Sequence, residues 1–409
     1  MAAVNDAFTI VPLEFDIFIG MDVDKKSVAI TCYDHRQKLS SEKMPNQAEP
    51  IIGYTQRHFP GQRVAFTYEA GPTGYGLYDR LTESGYKCLV VTPSTVPSAP
   101  NRRVKTNRLD SEKLAKALRG GEITGIRVPS TKYREMRHLI HLHDVVTRQG
   151  TQCKCRIKAA LLLEGIPYPN QTQSDHWSNN TLRRLETLAC AAALRFKLDL
   201  LLENLRFHRQ QLLKITKTLR HYCRNDPDLS ESLEYLVSIP GIGWTIGTHL
   251  IARIGDWRNL KNVRELAGFL GLTPCESSTG DDVNKGNITR SGDSRLRNML
   301  IEGAWSAVQW DPEMKEFYQR ILARHPHDRA ARKAIVAVAR KMTTRIYRVL
   351  KDRRLYVPRS EGTLDNHRAS DRKRRPLAPK DASTLCRTRT YVLKRGNNLS
   401  RVLAGSFQR

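Results

Sequence analysis

Four short runs rich in β-branched and aromatic residues stand out in the first quarter of the chain: Ile17–Asp22, Ser27–Cys32, Arg63–Glu69 and Lys87–Val91. Their length and composition predict strands. Between the last two, Tyr75–Ser84 has helical spacing. Further on, Asp110–Leu118 opens with an acidic turn and carries Leu114, Ala117 and Leu118 on one side, as a helix does. Residues 15–125 therefore read as one α/β domain in which a hairpin of strands precedes alternating strand and helix.

The pattern turns helical at about residue 130. Leu198, Leu201, Leu205, Leu212, Ile215 and Leu219 fall on the a and d positions of a heptad, broken by His208 at one d, with Arg and Lys outside the seam. Residues 130–230 are thus expected to form a coiled coil or a long antiparallel hairpin, serving as a device for homo-oligomers (a dimer or tetramer). An ordinary bundle helix burying its stripe within one chain is the alternative. A mixed segment, 233–350, ends in an amphipathic helix with Ile335, Val338, Met342, Ile346 and Val349 on one face. From Lys351 to Arg409 there are 16 Lys+Arg against 5 Asp+Glu and few large apolar residues. That composition predicts a basic tail, disordered when free and suited to nucleic acid.

Charge narrows the function. The 409 residues carry 68 Lys+Arg against 41 Asp+Glu, a net charge of +27, which calls for a polyanionic partner. Nucleic acid is favoured over a membrane, because no apolar run approaches the ~20 residues of a spanning helix and no secretory segment follows Met1. The eight cysteines are scattered, and the close pair Cys153 and Cys155 has neither zinc-site spacing nor a second pair. Reduced thiols in a cytoplasmic, nucleoid-associated protein are the expectation.

Three acids then matter. Asp22 ends an apolar strand, Glu69 ends another in VAFTYEAGPTGYG, and Asp110 opens a helix in KTNRLDSEKLAKAL. Carboxylates at element ends can converge from separate segments. Phosphodiester chemistry uses such convergence, since two hard cations ~4 Å apart take oxygen ligands and stabilise the attacking and departing oxygens. Each acid alone has a plainer explanation, and for Asp110 that is the helix macrodipole. A hairpin followed by alternating strand and helix is the early part of a ribonuclease-H-like layout, and the joint order of these acids, strand Asp, strand Glu, helix Asp, adds to the metal reading.

IGMDVDKKSVAI, YEAGPTGYGLYDRL, VTPSTV and RVKTNRLDSEKLAKAL resemble the successive motifs of the RuvC-like DEDD transposases of bacterial insertion sequences, the group guided by a structured bridge RNA. The resemblance spans Phe18–Leu118 and resumes near Leu236. It implies a RuvC-like catalytic domain using Mg2+ (or Mn2+), double-stranded DNA as substrate and a guide RNA as partner. Asp22 matches the first acid of the tetrad, Glu69 the second and Asp110 the fourth. The third position is Asn107, which offers a carbonyl oxygen without charge, so the site is expected either to bind metal more weakly or to lean on Asp24 or Glu112.

LVSIPGIGWTIGTHLIARIGDW reads as a helix-hairpin-helix, with Gly241 and Gly243 freeing backbone N–H groups for a phosphate. A tight helix–helix turn without a ligand is the alternative. The stretch Glu265–Trp305 resembles the C-terminal transposase domain of the same family, whose serine-rich loop supplies a nucleophile. The resemblance makes Ser278 that nucleophile, with Ser277 and Thr279 as alternatives. Lys285, Arg290 and Arg295 are the candidate phosphate contacts, although on residues alone this loop reads as a surface turn. The implied chemistry divides between the acids of 18–118 and the serine near 278, so it requires two domains to cooperate. The expectation is a transposase or recombinase that cuts and rejoins DNA. A junction-resolving nuclease without serine chemistry and a degenerate nucleic-acid-binding protein are the alternatives.

Overall fold

The computed structural model describes residues 8–96, 106–169, 177–277, 285–324 and 330–358. The chain divides at Pro129 into two compact units.

The first unit is built on a five-stranded sheet. Its elements are β1 (Ile17–Val23), β2 (Ser27–Tyr33), β3 (Lys38–Pro45), α1 (Ala48–His58), β4 (Val64–Glu69), α2 (Gly76–Glu83), β5 (Lys87–Val91) and α3 (Asn107–Arg119). The strand order is β3-β2-β1-β4-β5. β1, β2 and β3 run antiparallel, while β4 and β5 lie parallel to β1. This mixed sheet is consistent with the layout expected for a DEDD nuclease-like domain.

Alternation along the strands sorts the side chains onto two faces. Ile17, Ile19, Met21, Phe66 and Tyr68 pack with Ile51 and Tyr54 of α1 and Leu81 of α2. Phe18, Ala65, Leu89 and Val91 pack with Leu114, Ala115, Ala117 and Leu118 of α3 on the other face. With both faces covered, β1 and β4 read as nearly continuous apolar runs. β3 (KLSSEKMP) is an edge strand with no buried residue, and its charged side chains discourage pairing with another chain. Neither β3 nor α1 is signalled by apolar alternation.

α3 sits unusually close to the sheet. A Cβ on Gly20 would lie 2.2 Å from the Ser111 carbonyl oxygen and 2.3 Å from the Ala115 nitrogen. Only a glycine at position 20 lets this helix rest on β1. Thr31, opposite Gly20 in the register, fixes the same helix through a buried 2.8 Å hydrogen bond between its Oγ1 and Ser111 Oγ.

The second unit is mostly helical: α4 (Thr131–Leu163), α5 (Asn179–Glu186), α6 (Ala192–Asn225), α7 (Pro227–Val237), α8 (Trp244–Ile254), α9 (Val263–Phe269), the ribbon strands β6 (Pro274–Glu276) and β7 (Lys285–Ile288), then α10 (Ser294–Trp310), α11 (Pro312–Ala323) and α12 (Ala330–Lys351). α4 and α6 form an antiparallel hairpin. Lys132 near the start of α4 pairs with Asp226 just past the end of α6, at 3.0 Å, and Gly150 meets His208 at mid-length. The heptad stripe of α6 is therefore buried against α4 of its own chain. The buried leucines are Leu194, Leu198, Leu202 and Leu205, followed by Ile215 and Leu219. Leu202 takes the place at which the heptad puts Leu201.

One buried ion pair holds the later helices. Asp311, 1% exposed, caps α11 by accepting from the Met314 N–H at 3.2 Å and also accepts from Tyr356 Oη at 3.0 Å. Its other partner is the Arg345 guanidinium of α12, which reaches Glu313 as well. The expected region 351–409 is described only to residue 358, so the basic tail lies largely outside the described residues.

Candidate active site

Two of the three predicted acids are brought level by the sheet. β1 and β4 are parallel, with Gly20 opposite Thr67 and Met21 opposite Tyr68. Asp22 and Glu69 are the next step along these strands, ~4.8 Å apart in backbone spacing. Both belong to the α3 face, because Phe18, Gly20 and Asp22 share one parity and Ala65, Thr67 and Glu69 share the matching one. Asp110 lies in the first turn of that helix, one residue before the Ser111 carbonyl that rests on Gly20. The three acids thus gather at one end of α3, each half-buried.

The first turn of α3 is well specified. Thr106 caps it by accepting from the Leu109 N–H at 3.3 Å, and Asp110 meets the positive end of the macrodipole. Asn107 is its first residue and shares a helix face with Asp110, three positions on. The Asn107 Nδ2 donates to Asp24 Oδ2 at 2.5 Å. Glu112 is engaged elsewhere: Lys38 and Lys116 each reach its carboxylate at 2.7 Å, and Tyr33 Oη donates to it at 3.2 Å.

The hydrogen bonds from Lys116 and Lys38 hold the Glu112 carboxyl down at about 2, from an ordinary 4.5. A depressed carboxyl stabilises the fold above its unfolded pKa and loses that contribution as the pH falls toward the folded value. The β3–β2–α3 contact should therefore loosen between about pH 4.5 and about pH 2. Hydrogen exchange of β2 and α3 amides checks this, with Glu112→Gln expected to flatten the acid limb.

All donors at the end of α3 are oxygens, carboxylates plus one amide, and such a set suits a hard divalent cation. Asp22, Glu69 and Asp110 do not all lie within 4.8 Å of one another. The group that does, among the described residues, is His143, Asp144 and His249 in the helical unit. That cluster is unsuited to a cation. Asp144 is 9% exposed and already accepts from His249 Nε2 at 3.2 Å, Arg253 at 3.0 Å and Arg295 at 2.9 Å. Burial raises its pKa, but the hydrogen bonds from His249 and Arg295 outweigh this and keep it below the usual carboxylate range. Two guanidiniums occupy the coordination space a metal would need.

The remaining nominated residues fall in the second unit. Gly241, at φ +90°, presses the turn between α7 and α8 onto α10: its Cβ would stand 2.2 Å from the Gly303 carbonyl oxygen. Gly243, the N-cap of α8, is exposed with open space at its Cβ position. The two glycines thus differ: one serves packing, the other leaves a helix end accessible. Arg295 is bound to Asp144. Arg290, exposed at φ 55°, lies where residues 289–293 run against 269–273. Lys285 begins β7. Ser277 is exposed just past β6, while Ser278 and Thr279 lie outside the described residues.

Sequence reasoning missed Asp144 and its partners Arg253 and His249. Arg253 also reaches Asp293, the cap of α10, at 2.6 Å. An aspartate among apolar neighbours in HLHDVV was the available signal.

Two acids level on parallel strands stand beside a helix-borne third in this mixed sheet, and a transposase model of the DEDD type matches residues 19–165. The molecule is a DNA-processing enzyme of the transposase class. A second model, described as the Transposase IS116/IS110/IS902 family, matches residues 233–319. Putative transposase y4qE of Sinorhizobium fredii is 31% identical over 71% of this chain and 72% of its own length. The probable family 20 transposase of Pseudomonas aeruginosa is 23% identical over 83% of this chain and 98% of its own. The pilin gene-inverting protein of Moraxella bovis is 26% identical over 37% and 47%. The chain belongs to the IS110/IS116 family of transposases. Among the described residues, no helix is long and apolar enough to cross a membrane.

Proposed function

We propose that this transposase cleaves and rejoins DNA strands with a Mg2+- or Mn2+-dependent centre formed by Asp22, Glu69, Asn107 and Asp110, and with Ser278 as its nucleophile, directed by a structured guide RNA. The observation that carries the reading is the level placement of Asp22 and Glu69 on the face where α3 brings Asp110. A divalent ion held there would neutralise charge developing on the phosphate.

The chain's own residues supply the rest. Four oxygen donors on three rigid elements would hold such an ion with little cost of reorganisation, and the ion would in turn orient the phosphate. The serine Oγ forms a bond to phosphorus as one backbone P–O bond breaks. Its proton ends on the departing sugar oxygen, leaving a phosphoserine that a second DNA hydroxyl reverses. In the sequence Ser278 falls between β6 and β7, which pair as a short antiparallel ribbon. The net charge of +27 supports contact with both nucleic acids.

The test is incubation of the full-length protein with element-end DNA, guide RNA and Mg2+, followed by denaturing electrophoresis for protein–DNA adducts. Wild type should yield an adduct that Ser278→Ala loses. Metal-dependent cleavage without any adduct would assign the attack to water.

A further inference from the structure

The acidic centre is one charge short at Asn107, and the structure shows what stands beside that gap. We propose that Asp24 supplies the missing fourth carboxylate of the metal centre, with Asn107 as the residue that positions it. This rests on the metal reading above and chooses between the two acids, Asp24 and Glu112, that the sequence leaves open.

Asp24 lies two residues beyond Asp22, so extended backbone turns it toward the same face as Asp22 and α3. Its backbone is fixed at both ends: its N–H donates to the Ser27 carbonyl at 2.9 Å, and its own carbonyl accepts from Asn46 Nδ2 at 2.9 Å. The side chain is thus delivered from an anchored turn. It then receives the Asn107 Nδ2 at 2.5 Å, which ties the β1–β2 turn to the first residue of α3, one helical turn before Asp110.

The charge count follows. A carboxylate at 24 hydrogen-bonded to an amide at 107 brings one negative charge, the same as an aspartate at 107 beside a neutral residue at 24. Two carboxylates at that separation would repel, and one would be driven to take up a proton. The amide removes that conflict, and the bond from its NH2 end holds the carboxylate in place. Glu112, the other nearby acid, is excluded because Lys38 and Lys116 already neutralise it. Asp24 is exposed and so within reach of an ion entering from solvent.

The experiment is a Mn2+ titration of full-length protein, with free Mn2+ read from its solution EPR signal and thermal melts confirming that each variant is folded. Asp24→Asn should weaken Mn2+ binding by about tenfold or more, since about tenfold is already the least that loss of an outer-shell partner of a metal site costs. The exchanged pair, Asp24→Asn with Asn107→Asp, should bind more tightly than Asp24→Asn alone, because the same bond is remade with its charge on the other side. Asp22→Asn is the control. If Asp24→Asn binds as wild type does while Asp22→Asn fails, the assignment of Asp24 is overturned and the metal reading stands. If Asp22→Asn also binds normally, both are overturned. An exchanged pair no tighter than Asp24→Asn overturns the role given to Asn107.

Discussion

Replacing Asp22 by asparagine should lower the metal-dependent strand cleavage proposed above by roughly a thousandfold, the equivalent of about 4 kcal/mol of transition-state stabilisation. The expected change is confined to chemistry. Asp22 is a half-buried residue at a strand end, and asparagine has its shape, so β1 keeps its place between β2 and β4. Loss of one acid from a set of like charges even relieves repulsion in the metal-free protein. DNA affinity should change little, because it depends on a large basic surplus distributed over the chain. Single-turnover cleavage rates set beside gel-shift affinities make the comparison. A parallel fall in both would mean that Asp22 supports the fold and not the reaction.

The second large effect concerns stability. Asp311→Ala should destabilise the helical unit by about 3–5 kcal/mol, the usual result of removing one member of a buried ion pair. Arg345, 7% exposed, would keep Glu313 but lose its buried partner. The same substitution deletes the cap of α11 and the acceptor of the Tyr356 hydroxyl. Tryptophan fluorescence during urea unfolding reports on this unit selectively, since Trp177, Trp244, Trp257, Trp305 and Trp310 all lie beyond Pro129. Arg345→Met, made alone and with Asp311→Ala, completes a double-mutant cycle. The double variant should be more stable than the sum of the single losses predicts, because neither charge is then left buried by itself.

These effects rest on parts of the molecule that differ in how far the sequence reveals them. β1, β2, β4 and β5 are legible because two-sided burial demands β-branched and aromatic residues, and the order of Asp22, Glu69 and Asp110 follows with them. β3 is not, since an edge strand with polar side chains looks like a loop. The start of α3 is read three residues late because Asn107, Arg108 and Leu109 carry no apolar spacing, although Thr106 is a good cap. In α6 the run Leu200–Leu202 leaves the phase open. The fold exposes Leu200, half-buries Leu201 and buries Leu202, and so departs by one place from the heptad. The Asp24–Asn107 bond joins residues 83 apart in the chain, and only tertiary structure could disclose that these two meet.

Asp22 owes its position to parity. Met21, its neighbour in β1, projects into the apolar layer beneath α1 and α2, so the strand carries a carboxylate and a water-avoiding thioether on successive residues. Loss or gain of a single residue upstream of Asp22 in β1 would exchange the two, driving a carboxylate among Ile51, Tyr54 and Leu81 and turning a thioether toward the acids. Length, as much as chemistry, is therefore under constraint in this strand: a substitution there can be partial in its harm, whereas an insertion or deletion exchanges its two faces outright.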